Sequence, residues 1–209
     1  MSERIACLLI GYLCGCFITA EAVCRKVAGK PAREVGRTGN PGMANVMAAL
    51  GFKPGILVLA GDIGKTILGV VLASLLFYSR LGRICVLWAV LGVTLGHNFP
   101  FWLAFKGGKG VSTTCAGIVL YSPGWGFLSL IAGMLVVFVT KSLALGAVVI
   151  PGVFTIIAWI RYGTEAGILS AALLGLMICR HWPALQKLNT PDRDRTDVPA
   201  AIKKLFTKS

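Results

Sequence analysis

Acidic residues are scarce in this chain. Only 8 Asp and Glu stand against 21 Lys and Arg, and charged residues of both signs make up 14% of 209 positions. A soluble domain carries about a quarter charged residues, so an ordinary soluble fold is disfavoured from the outset. Few carboxylates and only two histidines leave no acidic or histidine-rich cluster for a metal, and none is expected. The seven cysteines show no CxxC spacing of the zinc type. Most lie inside apolar runs, where a thiol packs as a small hydrophobe. No Ser-His-Asp spacing, no HxxxxD acyltransferase motif, no internal repeat and no low-complexity tract is present. A net charge of +13 would suggest nucleic acid in a soluble protein, but no RNA- or DNA-binding motif accompanies it. Neither a cofactor nor a nucleic acid is expected as a partner.

What the chain has instead is apolar length. Hydrophobic residues make up 56%, and the mean hydropathy is +0.79. The apolar residues fall in runs of the length that crosses a bilayer core. Seven segments stand out, near 4–23, 54–79, 83–104, 111–122, 125–140, 142–161 and 166–181, the fourth being short. The first run, IACLLIGYLCGCFITA, has no basic flank beyond Arg4 and no small-residue cleavage site, so it reads as a span and not as a signal peptide.

The expected architecture is an all-α polytopic membrane protein with seven transmembrane helices. Charge supports that count. Under seven spans, Arg25, Lys26, Lys30, Arg33, Arg37, Lys53, Lys106, Lys109, Lys141 and the basic residues from Arg180 onward share one side. Only Arg4, Arg80, Arg83 and Arg161 fall opposite, and Lys65 lies within a span. By the positive-inside rule the N-terminus is outside and the C-terminus cytoplasmic. The expected organisation is a membrane domain over 1–181 with cytoplasmic loops 25–53 and 105–111, then a basic tail over 182–209. A surface helix near 200–206 would attract anionic membrane lipid.

The polar stretches gather on the basic side. GRTGNPGMAN (36–45) combines a tight glycine-proline path with the donors Arg37, Thr38, Asn40 and Asn45. FKGGKGVSTT (105–114) sets Gly107, Gly108 and Gly110 among Lys106, Lys109, Ser112 and Thr113. Consecutive glycines let backbone N–H groups converge on an anion, and a following helix start favours negative charge. The stretch is not a Walker A loop, which needs four residues between its glycines and a Ser or Thr directly after Lys. His97, Asn98 and Pro100 precede it closely. Asp62 and Lys65, at i and i+3 on one helix face, can neutralise each other within a span; they read either as a structural pair or as a pair that orients the ligand loops. Arg180 and His181 lie where the last span meets the cytoplasm, placed to reach an anion or to anchor the helix end. A cationic, glycine-lined pocket of this kind suits phosphate beside lipid, with chemistry resting on positioning and electrostatics.

These residues carry a family resemblance. LGHNFPFWLAFKGGKGVSTT (95–114) resembles the second signature of the PlsY-type acyl-phosphate:glycerol-3-phosphate acyltransferases. TGNPGMANV (38–46) resembles their first, and DIGK (62–65) matches the D-x-x-K of their next span. The resemblance implies acyl transfer from acyl phosphate to the 1-hydroxyl of glycerol 3-phosphate, giving lysophosphatidate for phospholipid biosynthesis at the cytoplasmic side of a bacterial cell membrane. It implies catalytic roles for Thr38, His97, Lys109 and His181. Substrate contacts would come from Arg37, Asn40, Asn45, Lys106, Gly107, Gly108, Gly110, Ser112, Ser142 and Arg180, with Asp62 and Lys65 orienting. The enzyme that makes the acyl phosphate is a further candidate partner.

Departures from the pattern are concentrated on the acceptor side. Thr38 and Ala44 replace the usual Ser and Thr, Ala48 stands where Arg is common, and Ala144 where the family has Ser, with Ser142 nearby. After His181, Trp182, Ala184 and Lys187 replace Arg, Asn and Arg, and NTPD (189–192) lacks the Glu. Two other readings therefore stay open: a divergent paralogue with a lost or altered acceptor, and an anion or organophosphate transporter that uses the same glycines.

Overall fold

The computed structural model describes residues 1–190; the expected surface helix near 200–206 lies outside them. The described chain is helical: α1 Ser2–Gly15, α2 Thr19–Ala28, α3 Met43–Leu50, α4 Phe52–Leu81, α5 Ile84–Asn98, α6 Val111–Tyr121, α7 Pro123–Thr140, α8 Leu143–Tyr162 and α9 Thr164–Gln186. Two compact units divide it, Met1–Tyr121 and the part beginning at Ser122.

Among the described residues, six helical stretches are long and apolar enough to cross a membrane: Ser2–Ala28, Phe52–Leu81, Ile84–Leu103, Pro123–Thr140, Leu143–Tyr162 and Thr164–Gln186. Large apolar side chains point outward along them, among them Val139 at 84% and Leu75 at 79% exposure, as a lipid-facing surface requires. The segment expected near 111–122 is present as α6, but it has only 11 residues. That is about 16 Å of helix against a hydrocarbon core of about 30 Å.

Two features differ from the sequence expectation. The loop expected over 25–53 contains α3 and a short 3-10 turn at Ala32–Glu34. The first apolar run, expected as one helix, breaks between Gly15 and Thr19, with Ile18 extended at φ −95° and ψ 97°. Such a break inside an apolar segment must find partners for the backbone groups it releases. Here Trp102 Nε1 donates to the Cys16 carbonyl at 2.7 Å and Lys65 Nζ to the Phe17 carbonyl at 2.8 Å.

In the first unit, α1 and α5 meet along paired small residues. A Cβ on Gly11 or Gly15 would fall on the carbonyl oxygen of Ala89 or Val93; one on Gly92 or Gly96 would fall on that of Leu8 or Tyr12. Each helix thus carries a G-x-x-x-G face, the arrangement that lets two backbones approach closely in lipid, where dispersion and not water drives association. Tyr12 closes the end of the seam by donating its hydroxyl to the Phe99 carbonyl at 2.9 Å. Around α2, Val46, Val58, Ile18, Ala32 and Cys24 form a buried cluster.

In the second unit, Pro123 opens α7 after Ser122. Gly133 of α7 and Gly146 of α8 approach so closely that a Cβ on either would lie 2.9 Å from the other's carbonyl oxygen. Ser122 and Tyr162 hydroxyls meet at 2.7 Å, tying the start of α7 to the end of α8.

Candidate functional site

The polar interior of the first unit is built around Lys65. Its Nζ lies 2.9 Å from Asp62 Oδ1, 2.8 Å from the Phe17 carbonyl and 2.8 Å from His97 Nδ1. Asp62, Lys65 and His97 are all buried. One helical turn places Asp62 and Lys65 on the same face of α4, and α5 supplies His97 from its last turn. Thr19, just past the helix break, turns its hydroxyl towards Asp62 at 3.5 Å. An uncompensated charge at the bilayer centre costs about 2.5–3.5 kcal/mol on insertion scales. Here the carboxylate and ammonium cancel.

The glycine stretch folds back over the end of α5. Gly107 N donates to the Asn98 carbonyl and Gly108 N to the His97 carbonyl, each at 3.0 Å. These two N–H groups, read from sequence as anion donors, instead satisfy carbonyls that the end of α5 leaves without helical partners. The reason for glycine is closeness: a Cβ on Gly107 would meet the His97 carbonyl, and one on Gly108 would meet His97 Nε2. Gly110 then takes a positive φ of 78°, a conformation glycine adopts without steric penalty, and α6 begins at Val111. The first-turn N–H groups of α6 have no acceptor within the helix. Lys109 stands half-buried beside them and Lys106 is exposed. Thr94 holds the helix start from below, its Oγ1 lying 3.2 Å from Thr113 Oγ1 and 3.4 Å from Thr114 Oγ1.

The first loop is organised by Asn45. Its Nδ2 donates to the Val35 carbonyl at 2.8 Å, and its Oδ1 accepts from the Thr38 hydroxyl at 2.9 Å and from Thr38 N at 3.3 Å. Thr38 Oγ1 in turn accepts from Asn40 N at 3.3 Å. Thr38 therefore has its hydroxyl proton engaged inside the loop, and Asn45 is a buried strut. Arg37 is exposed on the same loop.

Three contributors, Arg33, Glu21 and Trp102, were not singled out from sequence. Arg33 Nε and Nη2 both donate to the Lys106 carbonyl, at 3.1 and 2.6 Å, so the first loop grips the glycine loop by its backbone. Buried Glu21 accepts from Ala32 N at 2.8 Å and from Arg25 Nε at 2.6 Å, fixing the turn that carries Arg33. Trp102 seals the helix break. Asn98, noted beside His97 in the sequence, is fully buried, and neither atom of its carboxamide finds a hydrogen-bond partner among the described residues. A basic residue counted only for topology, and an acid at the end of an apolar run, were the available signals. Arg33→Ala is expected to lower turnover on the order of 10-fold by loosening the loop. Arg33→Lys should recover little, because an ammonium cannot reproduce the planar fork; steady-state kinetics on purified variants measure both.

Ser142, Arg180 and His181 belong to the second unit. Ser142 is buried and caps α8, its Oγ accepting from Leu145 N at 3.4 Å. Arg180 is half-buried near the end of α9, and His181 is buried with Nδ1 2.9 Å from the Met177 carbonyl. That carbonyl only accepts, so Nδ1 of His181 carries a proton. Ala144 is buried, Ala48 exposed and Ala184 half-buried.

The helices and the polar interior define an all-helical integral membrane protein whose cationic residues meet at a glycine loop opening a short helix. The family model described as glycerol-3-phosphate acyltransferase matches residues 5–190. The chain is 35% identical over 202 residues to glycerol-3-phosphate acyltransferase 1 of Lactobacillus johnsonii, covering 97% of each chain. It is 35% identical over 170 residues to the glycerol-3-phosphate acyltransferase of Clostridioides difficile, covering 79% of this chain and 81% of the relative. The crystal structure of PlsY (YgiH), an integral membrane glycerol 3-phosphate acyltransferase, in its glycerol 3-phosphate form superposes with a TM-score of 0.83 at 25% identity, over 95% of this chain and 98% of that one. This chain belongs to the glycerol-3-phosphate acyltransferase family.

Proposed function

We propose that this glycerol-3-phosphate acyltransferase takes its acyl group from acyl phosphate. The observation that carries the reading is the junction of the glycine loop with α6. The loop is pinned to the end of α5, gripped by Arg33, and leads into a helix start flanked by Lys106 and Lys109, with Ser112 in its first turn. Such a junction is suited to a phosphate group. In the reaction the 1-hydroxyl oxygen of glycerol 3-phosphate bonds to the acyl carbon, the bond from that carbon to the phosphate oxygen breaks, and the hydroxyl proton leaves to the departing phosphate. Lysophosphatidate and inorganic phosphate result. The protein's part is to hold both phosphates and stabilise developing charge. Lys109, Lys106, Gly110 and Ser112 serve the donor; Arg37, Thr38 and Asn40 line the same basic side. Ser142, Arg180 and His181 serve the acceptor, positioning it without taking the hydroxyl proton.

The same reading carries the topology. Seven crossings with the N-terminus outside and a cytoplasmic C-terminus gather the basic loops on one side, with α6 and the glycine loop together completing the short passage. The active site then faces the cytoplasm of a bacterial cell, the basic tail lies on anionic lipid, and the acyl-phosphate-producing enzyme is a neighbour. A second reading, altered acceptor preference, is favoured by Ala48, Ala144 and Ala184. Purified protein offered glycerol 3-phosphate with acyl phosphate, acyl-CoA or acyl-carrier protein separates these ideas. Lysophosphatidate is expected from acyl phosphate alone. Equal product from a thioester donor defeats the donor assignment, and consumption of acyl phosphate only with another alcohol establishes the changed acceptor.

A further inference from the structure

Lysine has three N–H donors and no acceptor. Lys65 meets three acceptor positions within 2.9 Å: Asp62 Oδ1, the Phe17 carbonyl and His97 Nδ1. A proton on His97 Nδ1 would point at the ammonium from 2.8 Å, donor against donor. It could not be rescued by Asp62, whose Oδ1 is 3.6 Å away, beyond a hydrogen bond. The ring proton must therefore sit on Nε2, and Nε2 is the atom against which Gly108 packs.

We infer that Asp62 and Lys65 are positioning residues that lock His97 in one neutral tautomer, so that the ring presents a fixed N–H to the glycine loop at Gly108. Asp62 holds the ammonium, the ammonium occupies Nδ1, and the broken first helix supplies the third acceptor through Phe17. Gly107 and Gly108 have spent their own N–H groups on α5 carbonyls, and the imidazole Nε2 lies directly beneath Gly108. His181 is the opposite case: its Nδ1 donates to the Met177 carbonyl, so the ring proton there is on Nδ1. The chain's two histidines thus carry these protons on opposite ring nitrogens.

The inference rests on the proposed function only in linking the lock to turnover; the tautomer itself is read without substrate. The experiment is nitrogen NMR of the full-length protein in detergent, isotope-labelled at the histidine ring nitrogens and assigned with His181→Gln. Wild type is expected to show one ring protonated at Nε2, His97, and one at Nδ1, His181. Lys65→Met leaves Asp62 without its partner and can fail to fold, so the charge-neutral double variant Asp62→Leu, Lys65→Met is the decisive one. There the His97 signals are expected to collapse to an exchanging mixture while those of His181 stay unchanged. Its kcat should fall on the order of 10-fold or more with KM for glycerol 3-phosphate little altered. A wild-type His97 protonated at Nδ1, or an unchanged His97 pattern in the double variant, overturns the lock. A changed pattern with full kcat overturns its role in turnover. Wild-type protein that shows the two tautomers but makes no lysophosphatidate defeats the functional reading and leaves the lock standing.

Discussion

Gly108→Val is expected to lower kcat by roughly 100-fold or more, the scale of a misplacement of about 1 Å at a reacting group, while the protein still inserts and purifies as wild type. The first added atom would land on His97 Nε2. It cannot be accommodated by a rotamer change, because His97 is buried and tied to Lys65. The loop must lift, and with it go the Gly107 and Gly108 bonds to the end of α5 and the start of α6. The comparison is Gly64→Ala. Gly64 lies between Asp62 and Lys65 in sequence, yet a Cβ there meets nothing within 4 Å, and alanine favours helix over glycine by about 1 kcal/mol. Full activity in Gly64→Ala together with the loss in Gly108→Val assigns the effect to the loop. A fully active Gly108→Val would remove the loop from the catalytic machinery.

The second large effect concerns assembly. Gly15→Val and Gly92→Val, on opposite sides of the α1–α5 seam, are each expected to destabilise the fold by about 3 kcal/mol or more, the upper range for overpacking. At both positions the neighbour is a backbone carbonyl, of Val93 and of Leu8, and a backbone cannot step aside as a long side chain does. In lipid the lost contact is not offset by a hydrophobic penalty for separation, since the tails are as apolar as the helix. Both variants should express at reduced level and show a lowered thermal midpoint in detergent. Unchanged midpoints would mean that the seam is looser than four interlocked glycines imply.

Much of the fold was legible because membrane spans announce themselves by length and apolarity. Each of the seven apolar segments contains helix, and α6 is short where the sequence is short. The break at Cys16–Ile18 was not legible: its residues are as apolar as their neighbours, and its partners, Lys65 and Trp102, are distant in sequence. The α1–α5 seam was legible in principle, since Gly11, Gly15, Gly92 and Gly96 spell G-x-x-x-G twice. At the site, the glycine loop is a local motif and its start of a helix could be read directly. The work of its glycines was misread, because an N–H that serves a ligand and one that serves the chain look alike until the end of α5 is in place. Arg33 shows the same limit: its acceptor is a backbone carbonyl 73 residues away, which leaves no side-chain pattern to detect.

The break in the first helix also orders events during synthesis. A ribosome delivers residues 16 and 17 to the bilayer long before Lys65 and Trp102 exist. Until then the carbonyls of Cys16 and Phe17 lack the donors that serve them in the finished protein, and an unserved backbone group in hydrocarbon costs several kcal/mol. The broken form of the first helix is therefore expected to be reached only after those two later segments are in place. The amino end of this protein is made first and comes to rest late.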